Sequence, residues 1–175
     1  EALAGRGEEA TGHLARVAPV DRHASHAFVA LNTAFFHDGA RIELPAGTVL
    51  EQPIHLLFVS TDDTNGPWLM AHPRVLLVLG ANSQASIVET YAGPDGARYF
   101  TNAVTEIVLG ECALLDHYTL QYQSPEAYHV GAIHVQAQRS ATCTLHSINA
   151  GGAWVRNDVV AVLSAEGVDC TLNGL

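Results

Sequence analysis

The residues able to do chemistry are ten histidines, three cysteines and a scatter of carboxylates. His117, His129, His134 and His146 lie close together in the sequence. Three imidazoles suffice for a mononuclear metal centre. The chain, however, has neither a His-X-His pair followed by a nearby Glu, as on metal-binding β-strands, nor His-Glu-X-X-His. The histidines are therefore assigned to polar outward positions or loops. His55, in Pro53-Ile-His-Leu-Leu57, and His72, in His72-Pro-Arg74, are assigned turn hydrogen bonds.

Thiolates hold iron–sulfur clusters, but Cys112, Cys143 and Cys170 are widely separated, with no Cys-X-X-Cys pair. Asp62-Asp63 belongs to a Thr-Asp-Asp-Thr-Asn-Gly loop and reads as turn chemistry. Glu89 and His117 occupy the same position in adjacent repeats, so a side-by-side contact is expected, with a catalytic dyad as the rarer reading. No Gly-X-Ser-X-Gly or Gly-X-Gly-X-X-Gly is present. All eight basic residues are arginine, which removes any P-loop lysine, Schiff base or lysine general base. On this reading no residue is assigned a catalytic, cofactor-binding or metal-binding role, and an ATP-driven step would need a second chain.

The elements that must position these residues are short. Apolar runs of five to seven residues alternate with Gly, Asn, Asp and Pro: Ala27–Leu31, Ile54–Val59, Arg74–Leu79, Ala85–Tyr91, Val104–Leu109, Ile133–Ala137 and Val159–Leu163. That is strand length. Asp38-Gly39, Ala46-Gly47, Asn65-Gly66-Pro67 and Pro94-Asp95-Gly96 are turn signals. No stretch of twelve residues keeps a 3.6 period, so the class is all-β.

Four segments align without gaps: Ala85–Tyr91, Ala113–Thr119, Ala141–Ser147 and Val168–Gly174. Their first positions are Ala, Ala, Ala and Val, and their third Ile, Leu, Cys and Cys. First and third positions share one face of a strand, so that face is inward. A strand–turn–strand unit at a near-constant period of about 28 residues is the signature of a solenoid; a β-sandwich is the competing architecture. Cys143 and Cys170 then stack inward in adjacent coils as small apolar residues, and Cys112, just before inward Ala113, faces out.

Length and composition set the outer limits. At 175 residues and 18.6 kDa the chain suits one domain with a real core. Hydrophobic residues make up 48% and charged residues 15%, which excludes a disordered chain. The net charge of −10 opposes a nucleic-acid partner. No apolar run reaches membrane-spanning length, no signal-peptide pattern opens the chain, and three scattered cysteines do not make a disulfide framework. A cytoplasmic location is expected. Residues 1–16 read as a flexible or helical lead-in, and 17–175 as a core domain truncated at its C-terminus. The chain begins at Glu1 and stops inside strand-like sequence, so it reads as a fragment.

Several stretches together carry a resemblance. Leu31-Asn-Thr-Ala-Phe-Phe-His-Asp-Gly39 leads into Ile42-Glu-Leu-Pro-Ala-Gly-Thr-Val-Leu-Glu-Gln-Pro-Ile-His-Leu-Leu-Phe-Val-Ser-Thr61. His72-Pro-Arg-Val-Leu76, Ala85-Ser-Ile-Val-Glu89, Val155-Arg-Asn-Asp158 and Leu172-Asn-Gly-Leu175 follow. From about Val17 to the last residue the chain resembles the SufB/SufD family of iron–sulfur cluster assembly proteins, SufD more than SufB. The resemblance implies a right-handed parallel β-helix, a single-stranded solenoid, in agreement with the repeat. It implies a non-catalytic scaffold subunit acting with SufB and the ATPase SufC, with the cluster a transient cargo of the whole complex. The family's C-terminal Cys/His motif and SufC-docking helices have no counterpart in these residues, so no cluster ligand is carried over. Two other functions are weighed. A carbohydrate-active β-helix enzyme needs clustered Asp, Arg or Lys on an outer groove, and a cupin-like metalloprotein needs the missing histidine motif. The strand at Val168–Leu172 is expected to be an exposed edge through which the chain associates with a second copy.

Overall fold

The computed structural model describes residues 13–18, 27–61 and 68–175. The Asp62-Asp63 loop, the Asn65-Gly66-Pro67 turn and most of the lead-in lie outside the described residues. Within them, the helix α1 (Ala27–Phe35) precedes the strands β1 (Gly39–Leu44), β2 (Ile54–Val59), β3 (Leu69–Ala71), β4 (Arg74–Leu79), β5 (Gln84–Ala92), β6 (Tyr99–Leu109), β7 (Leu114–Tyr122), β8 (Tyr128–Ala137), β9 (Thr142–Asn149), β10 (Trp154–Leu163) and β11 (Asp169–Gly174). Every pairing among these strands is parallel. The chain alternates between two sheets, β1-β4-β6-β8-β10 (with β3 beside β6) and β2-β5-β7-β9-β11. The fold is a parallel β-solenoid in which each coil gives one strand, or the split β3–β4, to each sheet.

The run Ala27–Leu31, expected as a strand, is the start of α1. Its apolar residues do not alternate, and Val29 and Asn32, three apart, are its buried positions. At nine residues it is too short for a twelve-residue periodicity test. The other six expected strands lie within β2, β4, β5, β6, β8 and β10. β3 and β4 would be one strand but for Pro73, which has no N–H to give to the ladder; β6 pairs with both pieces in one register, Ala71 beside Thr101 and Arg74 beside Val104.

The first coil step is two residues longer than the aligned repeats suggest. Ala85 sits beside Leu115, not Ala113, a step of 30. The next steps agree with expectation: Leu115 lies beside Cys143 and Cys143 beside Cys170, steps of 28 and 27. Because 28 and 30 are both even, the shift leaves the inward face unchanged. Ala85, Ile87, Ala113, Leu115, Ala141, Cys143 and Leu145 are all buried, packed with Val75, Leu77, Leu79, Ile107, Leu109, Val135 and Ala137 of the other sheet.

The coils are indexed by one turn. Gly47, Asn82, Cys112, Ser140 and Gly167 all have φ between 55° and 74°. The turns hydrogen-bond to one another along the stack: the N–H groups of Gly47, Asn82, Cys112 and Ser140 donate to the carbonyls of Ala81, Glu111, Arg139 and Glu166 at 2.8, 2.8, 2.9 and 3.0 Å. Cys112 is exposed, as expected, because it is a left-handed turn residue.

Candidate functional site

The lumen between the sheets is divided. Strand ends near the left-handed turns contribute the apolar core, and the opposite half is polar. Glu89 and Tyr91 of β5, Thr105 of β6, His117, Thr119 and Gln121 of β7, Gln123 in the following turn and His129 of β8 are all buried there. Each strand residue has the parity of its neighbours in the apolar core.

Glu89 is the centre. Its carboxylate accepts the Tyr91 hydroxyl at 2.7 Å, the Thr105 hydroxyl at 3.0 Å and His117 Nε2 at 2.9 Å. Burial pushes its pKa up, but the His117 imidazole and the hydrogen bonds from His117, Tyr91 and Thr105 outweigh this and hold it below the ordinary carboxylate value. Burial, reinforced by the neighbouring carboxylate, raises Tyr91 well above the normal phenol. Glu89 and His117 are 1% and 0% exposed. They do not sit side by side: Glu89 lies beside Thr119 and His117 beside Ile87, so the bond runs diagonally. With three donors on one carboxylate, the arrangement ties β5, β6 and β7 together across both sheets.

A second chain of bonds adjoins it. Gln123 Nε2 donates to the Thr101 hydroxyl at 2.8 Å, which turns Gln123 Oε1 toward His129 Nδ1 at 2.9 Å. The His129 ring packs edge-on against Tyr91 at 5.0 Å. Burial lowers the His129 pKa to about 4, against a smaller opposing pull from Glu89.

The histidines thus depart from the outward assignment. His117 and His129 are inside the lumen, and His134 is buried at 3% exposure. His146 is half-buried and stacks on Tyr118 with ring centroids 4.5 Å apart. His55 is a strand residue, not a turn residue, and meets the Thr90 hydroxyl at 2.8 Å. His72 lies between β3 and β4, 3.2 Å from Asn102 Nδ2. Among the described residues no three His, Cys, Asp or Glu side chains converge as a metal site. The exposed arginines Arg41, Arg98, Arg139 and Arg156 each face a carboxylate of their own rather than lining a common groove.

Cys143 and Cys170 are register partners and both are free thiols, Cys143 buried and Cys170 half-buried in the last coil. Burial, with smaller contributions from Cys170 and Asp116, pushes Cys143 up to about 12. It is an inert packing residue rather than a nucleophile.

Outside the lumen, a different cluster fastens the N-terminal segment to the first sheet. Arg74 and Glu106 form a fully buried ion pair. Arg74 also donates to Asn32 Oδ1 and Thr33 Oγ1 at 3.0 Å, while Glu106 accepts the backbone N–H groups of Ala15 and Ala18 at 2.8 and 3.2 Å. Asn32 Nδ2 in turn donates to the carbonyls of Pro73 and Asn102. Sequence reading missed this cluster and most of the lumen network. Extending the inward parity two positions past Ile87 and Leu115 would have placed Glu89, Tyr91, His117 and Thr119.

These features define a parallel β-solenoid with a polar half-lumen and a helix strapped to one face; no described helix is long and apolar enough to cross a membrane. The chain belongs to the SufBD core-domain family of the SUF system for iron–sulfur cluster assembly, whose profile matches residues 58–175. It is 34% identical over 140 residues to an iron–sulfur cluster assembly SufBD family protein of Synechocystis, covering 75% of this chain and 30% of that protein. It is 31% identical over 122 residues to the chloroplastic protein ABCI7 of Arabidopsis thaliana, covering 67% and 26%. Against the iron–sulfur cluster assembly protein SufD of Escherichia coli it is 25% identical over all 175 residues, 41% of that protein. No solved structure matches the chain. The chain spans less than half the length of these relatives.

Proposed function

We propose that this chain is the solenoid core of a SufD-like, non-catalytic scaffold that acts in the cytoplasm with a SufB-like protein and a SufC-like ATPase, in assembling or transferring an iron–sulfur cluster. The observation that supports it most is the core-domain match, which runs from β2 through β11 and so covers most of the solenoid. The lack of lysine agrees with an ATPase on another chain. The test is co-expression of the tagged full-length protein with SufB-like and SufC-like proteins of the same organism. A stable three-component complex is expected; elution of the tagged protein alone would overturn the reading.

The cluster is cargo, held outside these residues. Purified anaerobically with iron and sulfide, the 175-residue chain is expected to stay colourless. A charge-transfer absorbance lost on Cys112→Ser would contradict this.

The reading extends to self-association of this chain taken alone. β10 and β11 each have one paired neighbour among the described strands, and Val162, Leu163 and Leu172 are more than half exposed. Unpaired parallel edges carrying apolar side chains template pairing. Light scattering across a concentration series should show a dimer. A strict monomer at high concentration would refute it.

A further inference from the structure

One small cavity opens within the polar half of the lumen, toward the last coils. It is lined by Glu89, Thr119, His129, Gly131, Ser147 and Asn157 among others, and has room for about one water molecule. His129 Nε2 and Thr119 Oγ1 are buried and have no hydrogen-bond partner among the described residues. Leaving such atoms unpaired is costly, so a guest is expected where they border a cavity.

The protonation of His129 follows from its neighbour. Gln123 donates its amide to Thr101, so the oxygen is what faces His129 Nδ1. An oxygen of this kind can only accept; Nδ1 therefore carries the hydrogen and Nε2 presents a bare lone pair. Asn157 is oriented in the same way: its Nδ2 donates to Asn149 Oδ1 at 2.9 Å, which leaves Asn157 Oδ1 on the inner side. Both acceptors face the space over Gly131. A Cβ built there would lie 2.7 Å from Asn157 Oδ1 and 3.3 Å from His129 Nε2. The missing side chain of Gly131 makes the cradle.

We propose that this cradle is a binding site for one ordered water molecule, which donates to His129 Nε2 and Asn157 Oδ1 and accepts from the Thr119 hydroxyl. No three metal-ligating His, Cys, Asp or Glu side chains converge among the described residues, so the guest is a small hydrogen-bonding one that supplies two hydrogens to two lone pairs. Water and an ammonium-sized cation share that chemistry. Water is assigned because the one carboxylate lining the cavity, Glu89, already takes three donors. The site joins β7, β8 and β10, continuing the cross-linking that Glu89 provides among β5, β6 and β7.

The test uses the full-length protein, by high-resolution crystallography and nitrogen-15 imidazole NMR. A density peak about 2.7–3.2 Å from both acceptors is expected, with His129 as the Nδ1–H tautomer at neutral pH. A well-ordered map without that peak, or an Nε2–H tautomer, overturns the proposal. Ammonium chloride and sodium chloride at equal ionic strength should leave the His129 resonances alike; an ammonium-specific shift overturns the assignment to water. Gly131→Ala should abolish the peak, since its Cβ would occupy the cradle. Retention of the peak in that variant places the site elsewhere and defeats the proposal. The tautomer measurement on the unsubstituted protein holds even where the variant folds poorly.

Discussion

Glu89 shows how one buried charge is made tolerable. A lone carboxylate in a protein interior is costly, and here a histidine and two hydroxyls solvate it from three strands. Glu89→Gln keeps the shape but turns an amide donor toward groups that themselves donate. It is expected to cost about 3 kcal/mol, read as a lower denaturant midpoint. His129 makes stability depend on pH. Its folded pKa of about 4 lies below the ordinary imidazole value of 6.5, so between these values the unfolded chain binds more protons. Stability is then full above about pH 6.5 and falls as pH drops toward 4, by about 3 kcal/mol over the window. Glu89, also depressed, adds its own loss as pH falls below its unfolded value of 4.5. Urea titrations from neutral pH down to about 4.5 should show this slope, and His129→Leu should flatten it; an unchanged slope would remove His129 as its source.

Among the elements, the recurring turn sets the coils. A non-glycine residue with positive φ is strained by about 1–2 kcal/mol, with asparagine the tolerated exception. Cys112 at φ 55° is therefore a suboptimal turn residue, whereas Asn82 one coil earlier is a good one. Cys112→Asn is expected to be neutral or stabilising by up to about 1 kcal/mol, and Cys112→Val to be destabilising, because a β-branched side chain fits this region worst. Equal melting temperatures for the two variants would contradict the turn argument. The strap over the first sheet depends on the Arg74–Glu106 pair. Glu106→Ala strands a buried guanidinium and frees the N–H groups of Ala15 and Ala18. A loss of about 3–5 kcal/mol is expected, with faster amide exchange in residues 13–18 and α1 than in the apolar core.

The whole molecule is a one-dimensional stack, so each coil contacts chiefly its neighbours. Within the first sheet the coil step falls along the chain, from 35 (Gly39 to Arg74) through 30 (Arg74 to Val104) and 28 (Val104 to Ala132) to 26 (Ala132 to Asp158). The three later steps are even, so residues of one parity stay inward from coil to coil. The first step is odd, and the inward set of β1 is accordingly even-numbered: Ile42 and Leu44 pair with Leu77 and Leu79 and join the core. Substitutions in distant coils should therefore add. Glu89→Gln and a change at Cys170 are expected to be additive within about 0.5 kcal/mol in a double-mutant cycle; a larger coupling would mean that the lumen transmits strain.

The all-β class, the solenoid and the inward face were legible in the amino acids, because they depend on period-two alternation and on a repeat, both local or additive along the chain. Six strands and the Cys143–Cys170 partnership followed from the same two signals. The step from β5 to β7 did not, because a shift of two residues leaves the alternation unchanged and is chosen by the turn-to-turn hydrogen bonds. Nor did the helical form of Ala27–Leu31, since a nine-residue segment takes its form from the sheet it covers and from the Arg74–Asn32 contact. The polar lumen was hidden for a related reason. Glu89, His117 and His129 sit at inward positions where polarity alone argues for the surface. Their burial is tolerable because Thr105 and His117 reach Glu89 from β6 and β7, and Gln123 reaches His129 from the turn after β7, elements that only the coiling of the chain brings together.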